Sequence, residues 1–188
     1  MKWQSPDERL VASAAAFDIR KTNVLTRDPD NPNFSIAAGR VRSRGLEADV
    51  AGQITLHWRI SGNFAAMNTK VDRDNNLALQ GKRLAGIPRV SGSLLVMHEN
   101  ALPGGSRYGL GAGLTHVGER TGNATDTYRL RVYTTASLYA FWQYSPNVRL
   151  RLDVRNLFDK RYTAASWHSM AVLPGMRRQI TAGVQMSF

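Results

Sequence analysis

From Arg178 to Phe188 apolar side chains alternate with polar or small ones. Ile180, Ala182, Val184, Met186 and Phe188 oppose Gln179, Thr181, Gly183, Gln185 and Ser187. A side-chain period of two marks a strand with one apolar face. The pattern recurs upstream, most cleanly where Val148, Leu150, Leu152 and Val154 alternate with Arg149, Arg151, Asp153 and Arg155. A helix would scatter those arginines around its circumference, so that segment is not helical. Strands are predicted at about 9–23, 40–51, 55–68, 89–98, 107–117, 128–144, 148–157 and 178–188. Each has the length of a tilted membrane-crossing strand, about ten residues or somewhat more. The first has the least certain register: Val11, Ala15, Phe17 and Ile19 are placed on the apolar face, but Ala12, Ala14 and Ala16 blur it. In the fifth, Gly109, Gly111 and Gly113 fall at alternate inward positions, which would leave room for bulky neighbours.

The connections sort by parity. They are long at 26–40, 69–88, 118–127 and 159–176, and shorter at 52–54, 98–106 and 145–147. Transmembrane barrels connect strands this way, with brief periplasmic turns and extended outer loops. A soluble sandwich has no reason to sort its loops. Trp58, Trp142, Tyr144, Phe158, Tyr162 and Phe188 fall near strand ends, where interfacial aromatic girdles sit. The pattern predicts an all-β, antiparallel transmembrane β-barrel segment of about eight strands, with its C-terminus on the periplasmic side.

Composition agrees. The chain has 188 residues, 43% of them hydrophobic, and a mean hydropathy of -0.33. No run of about 18 apolar residues exists to make a transmembrane helix, whereas the polar lumen of a barrel dilutes the average. The absence of cysteine excludes disulfides and thiolate metal sites. A net charge of +11 raises nucleic acid as a partner. The cations are dispersed over strands and loops, so the reading is a solvated cationic lumen and rim and no nucleic acid.

Met1 to Leu10 is polar, contains Pro6 and has no apolar signal-peptide core. An outer-membrane protein should carry such a signal. The expectation is therefore a truncated piece, with 1–8 as lead-in and 9–188 as barrel segment.

No catalytic constellation stands out, and no enzyme is expected. His57, His98, His116 and His168 lack metal-ligand spacing, and His57 and His98 are placed in the lumen or at a rim. Asp18, Glu47, Asp49 and Asp153 are expected to face inward. They would pair across strands with Arg59, Arg129, Arg131, Arg149, Arg151 and Arg155. The glycine stretches are not phosphate loops, because no Lys-Ser/Thr follows at the required offset.

Several segments, taken in order, resemble the TonB-dependent outer-membrane receptors, ferric-siderophore branch. Arg42 to Glu47 resembles their R-S-x-G-x-E strand, and Asn156 to Tyr162 their N-L-F-D-K-x-Y segment. Leu84 to Arg89 resembles x-x-P-R, and Gly111 to Arg120 resembles G-x-G-x-x-x-V-G-x-R. Pro174 to Phe188 resembles the closing P-G-x-x-R turn and terminal strand. The resemblance covers essentially the whole chain from Arg9.

It implies a barrel of 22 strands with a plugged lumen, of which this chain supplies about eight. The plug and the box that contacts TonB are expected outside the chain, so this segment alone should not transport. The resemblance also implies import of a ferric siderophore across the bacterial outer membrane. The iron travels as its chelate, with no protein-bound cofactor or metal. Implied partners are the siderophore, the TonB complex, outer-membrane lipid and lipopolysaccharide, and the barrel assembly machinery, which reads the position of Phe188. Ligand contacts are expected from Tyr162 and Trp167 in the last outer loop. Lys70, Arg73, Lys82, Arg83 and Arg120 are expected as outer-loop cations that attract an anionic chelate or lipopolysaccharide phosphates. Two other classes remain open at this point: a self-closed eight-stranded structural or adhesion barrel, and a soluble lipocalin-like binder whose apolar face points inward.

Overall fold

The computed structural model describes residues 1–31 and 33–187, with all of their side chains except that of Trp167. The assembly-signal expectation at Phe188 lies outside the described residues, as does the side-chain expectation at Trp167. The chain forms β1 (Lys2–Gln4), β2 (Leu10–Arg27), β3 (Ser35–Gln53), β4 (Trp58–Arg73), β5 (Val90–Ala101), β6 (Arg107–Val117) and β7 (Arg120–Thr121). It continues through β8 (Arg129–Leu130), β9 (Tyr133–Ser145), β10 (Val148–Arg155), β11 (Thr163–His168), β12 (Ala171–Pro174) and β13 (Gln179–Met186). One nine-stranded sheet runs in the order β1-β2-β3-β4-β5-β6-β9-β10-β13, while β7-β8 and β11-β12 form separate hairpins. Among the described residues every strand pairing in the main sheet is antiparallel. β1 and β13 are its two edges.

All eight expected strands are present, with changed limits. The first three extend further, which shrinks the connection expected at 26–40 to residues 28–34. The segment expected to run unbroken from 128 divides. Arg129 and Leu130 pair with β7 in a loop hairpin, and the spanning strand begins at Tyr133. Arg129 and Arg131 therefore lie off the sheet, and Arg129 pairs with Glu119 and Asp126 within its own loop region. Lys2–Gln4, expected as lead-in, pairs with β2 as β1.

The loop parity holds. Connections at 28–34, 74–89, 118–132 and 156–178 share one end of the sheet, and those at 5–9, 54–57, 102–106 and 146–147 the other. At the short end Gly52 has φ 142°, and a Cβ there would lie 2.0 Å from the Arg9 carbonyl oxygen. Only glycine meets both demands.

Register carries one chemical character across neighbouring strands. Ser13, Asp49, Asn63, Ser93, Thr115 and Thr135 stand opposite one another from β2 to β9. Asn63 Nδ2 donates to Ser93 Oγ at 3.0 Å within that row. One residue along, on the other face, lie Val50, Gly62, Leu94, Leu114 and Ala136. Tyr108, Trp142, Leu150 and Val184 form a further apolar row. Phe141 lies against Gly109 and Met97 against Gly111 on the polar face, so these glycines do make room for bulky neighbours.

The apolar face is bare. Leu46 and Leu110 are more than half exposed, as are Leu114, Ile180 and Val184. Val71 and Leu130 are the only buried hydrophobic side chains among the described residues. A sheet in water would bury such residues, at about 1.5–3 kcal/mol for each large aliphatic side chain. The dry centre that a lipocalin-like binder requires is not formed. An apolar band facing lipid satisfies the same residues.

Two facing expectations change. On β2 the apolar face carries Leu10, Ala12, Ala14 and Ala16, because Ala16 stands opposite Leu46; Phe17 stands opposite Gly45 on the polar face. Asp18 therefore shares the face of Leu46 and is not inward. It accepts from Arg42 Nε at 2.7 Å in a two-pronged pair. Among the described residues the expected ladder of Glu47, Asp49 and Asp153 with strand arginines is also not formed. Arg59 pairs with Glu99 on the polar face at 3.7 Å, and Asp49 accepts instead from Ser13 Oγ at 3.4 Å. His98 stands between Trp58 and Leu110 on the apolar face near the short-loop end, and His57 lies in the turn beside it.

Candidate functional site

The most buried part of the molecule is the cluster of long connections. Thr121, Leu130, Arg120, Arg83 and Asn156 are all buried there. Three loops meet. The Gly86 amide donates to the Thr121 carbonyl at 2.9 Å, tying 74–89 to 118–132. Arg120 donates to the carbonyls of Ala164 (2.9 Å) and Thr163 (2.7 Å), tying 118–132 to 156–178. The Tyr128 hydroxyl donates to the Gly122 carbonyl at 2.8 Å and contacts Ser166 Oγ. Loop 74–89 is also pinned to the end of β2, where Thr26 Oγ1 donates to Asp74 Oδ1 at 2.7 Å and Asn75 Nδ2 donates to the Arg27 carbonyl at 3.0 Å. The result is a bonded platform at the long-loop end.

The N-L-F-D-K-R-Y segment anchors the last loop. Asn156 (φ 49°) and Asp159 (φ 52°) occupy the left-handed region, which Asn and Asp tolerate better than most residues. Asn156 Nδ2 donates to the carbonyls of Lys160 and Met176, each at 2.9 Å, while Oδ1 accepts from the Lys160 amide. Asp159 accepts from Arg177 Nε (2.7 Å) and the Arg178 amide (2.9 Å). Both ends of the loop are thereby held together. The two Arg177 and Arg178 bonds keep the Asp159 carboxyl well below the usual carboxylate range.

The expected site residues separate into groups. Tyr162 stacks on Tyr133 with centroids 4.1 Å apart, and its ring fills the space a Cβ at Gly175 would need. It packs the loop from within. Arg120 is a buried strut with its guanidinium 5.5 Å from the centre of the Tyr133 ring. Arg83 is also buried, reaching the Ile87 carbonyl at 3.4 Å, and burial lowers the pKa of its guanidinium. Neither is an open loop cation. Lys82 lies in loop 74–89, with its carbonyl accepting from the Val71 amide at 2.8 Å. Lys70 and Arg73 belong to β4. Asn156 and Asp159 sit in the N-L-F-D-K-R-Y motif, which by itself gives them no structural role. Arg83 and Arg120 carried no sequence signal, because a buried arginine and an exposed one look alike in a chain of 25 basic residues.

Residues 1–157 match the family described as TonB dependent receptor-like, beta-barrel. The chain belongs to that family. TonB-dependent receptors with similar sequence include the metal-pseudopaline receptor of Pseudomonas aeruginosa, 38% identical over 185 residues, covering 97% of this chain and 26% of that protein. The ferrichrome outer membrane transporter/phage receptor of Escherichia coli is 24% identical, covering 100% of this chain and 25% of that protein. The chain thus spans about a quarter of the length of these relatives. The siderophore receptor PiuA from Acinetobacter baumannii superposes with a TM-score of 0.87 at 23% identity, over 98% of this chain and 27% of that one. That likeness establishes the fold. TonB-dependent receptors are outer-membrane receptors and transporters of Gram-negative bacteria, which agrees with the bare apolar face.

Proposed function

We propose that this chain forms a part of the wall and outer mouth of a receptor that imports a metal chelate of the ferric-siderophore type, energised by TonB. The observation that carries the reading is the loop platform of 74–89, 118–132 and 156–178 above an apolar-faced antiparallel wall. Three loops bonded to one another form a preorganised surface at the end opposite the short turns. The 38% identity to a metal-pseudopaline receptor supports a chelated metal as cargo. The protein would hold the chelate by its organic shell. Among the described residues no group of three or more His, Asp or Glu could hold a bare metal ion.

In this reading the long loops face outward and the short turns and C-terminus face the periplasm. Trp167 is the ligand-contact candidate, Tyr162 supports its loop from within, and Lys82 offers positive charge at the mouth. Phe188 would serve as the mark for barrel assembly. The protein performs transport and no catalysis, with TonB contact and lumen closure supplied outside this chain.

The test is uptake of radiolabelled iron or zinc chelates by cells that lack their own receptors and express the whole receptor. Uptake that requires TonB and stops when loop 156–178 is deleted is expected. Uptake indifferent to TonB would overturn the proposal.

A further inference from the structure

The short-turn rim of the wall holds two histidines that lie far apart in the chain and that the sheet brings together. The Glu99 amide donates to the His57 carbonyl at 2.8 Å, so the pairing of β4 with β5 extends one residue beyond Trp58 and His98. The imidazole centroids of His57 and His98 lie 6.0 Å apart, with their planes tilted by 38°. Two imidazoles that share one ion, each nitrogen about 2.1 Å from it, stand with centroids about 5–6 Å apart.

Neighbours hold both rings. His57 Nδ1 lies 3.2 Å from the Glu99 carbonyl oxygen. That oxygen can only accept, so Nδ1 carries the proton and Nε2 keeps its lone pair. A metal-binding histidine characteristically donates its other ring N–H to a carbonyl in this way. The His98 ring meets Trp58 edge-on with centroids 4.8 Å apart, and lies 5.9 Å from the Tyr108 ring. Among the described residues the His98 ring has no hydrogen-bond partner, so its nitrogens are uncommitted. His57 is exposed and His98 half-exposed, which leaves the pair open to a dissolved ion. The Glu99 carboxylate does not join them, because it pairs with Arg59 on the polar face.

The donor type selects the ion. Imidazole suits Zn²⁺, Cu²⁺ and Ni²⁺, whereas Ca²⁺ and Mg²⁺ take oxygen ligands. Two protein donors leave the other positions to water, so a bound ion is exchangeable. We propose that His57 and His98 form a site for a divalent first-row ion of the zinc and copper class, which ties the turn at 54–57 to β5. Its place at the periplasmic rim rests on the outer-membrane reading above; the site itself is independent of the cargo.

The test uses the full-length receptor, purified in detergent without a polyhistidine tag and stripped of metal, with bound Zn²⁺ counted by equilibrium dialysis. His57→Phe and His98→Phe keep a ring and remove its nitrogens. Each should bind one equivalent fewer than wild type, and the double variant should lose that same single equivalent, because half of the pair holds no ion. His116→Phe and His168→Phe should match wild type. Zn²⁺ should also raise the temperature at which the wild-type barrel loses its heat-modifiable gel mobility, since an ion bound only by the folded state stabilises it; Mg²⁺ should not. Variants that bind as many ions as wild type, losses that add in the double variant, or a wild-type barrel that melts alike with and without Zn²⁺ would overturn the site. The wild-type melting comparison holds even if a variant fails to fold. Chelate uptake is scored in parallel: uptake indifferent to TonB would sink the transport reading, while the zinc count decides this one.

Discussion

Asp159 shows how one residue can hold a loop. Its carboxylate closes a bond network with Arg177 and the Arg178 amide across the base of 156–178. Those bonds lower its pKa, so the sign of its pH effect is set. An unfolded aspartate takes up its proton near pH 3.9. The folded one does so only at lower pH, so the stabilisation is complete above about 3.9 and fades as pH falls through the folded value. Loop 156–178 should resist proteases equally at pH 7 and at pH about 4.5. Asp159→Asn should cut faster at both pH values, and unchanged cutting would show that the pair is idle. Asn156 does related work without charge. Both residues sit in a motif visible in the sequence. Their roles were not visible, because the partners Met176, Arg177 and Arg178 lie far along the chain.

At the level of elements, the hairpin of β2 and β3 depends on Gly52. Its φ of 142° and the 2.0 Å approach to the Arg9 carbonyl leave no room for Cβ. Gly52→Ala should destabilise the hairpin by about 1–3 kcal/mol, the usual scale of backbone strain. The folded barrel would then lose its heat-modifiable gel mobility at lower temperature than wild type; an unchanged transition would refute the argument. The facing of β2 belongs to this scale too. Its alternating alanines offered no contrast, so only pairing with β3 could assign them. Once Ala16 meets Leu46, Asp18 must join Arg42 on the outward surface. The hairpin β7–β8 was similarly hidden, since the run from Tyr128 alternates smoothly into β9 with no turn signal to break it.

The whole molecule has a face that only a lipid environment suits. Leu150 lies in the row of Tyr108, Trp142 and Val184 and is 39% exposed. Leu150→Arg should cost about 2–4 kcal/mol in the receptor's unfolding from phospholipid, as for a cation placed near the midplane of a barrel wall. A cost near zero would mean that this face meets water. The alternation of side chains and the parity of loops were decided by sequence alone, because a pleated strand has a period of two whatever its neighbours are. The tertiary structure decided which face Ala16, Phe17 and Asp18 present and which cations become buried among the long loops. Those outcomes depend on register and loop packing between residues distant in the chain, and no local pattern encodes the partner that a strand or an arginine will meet.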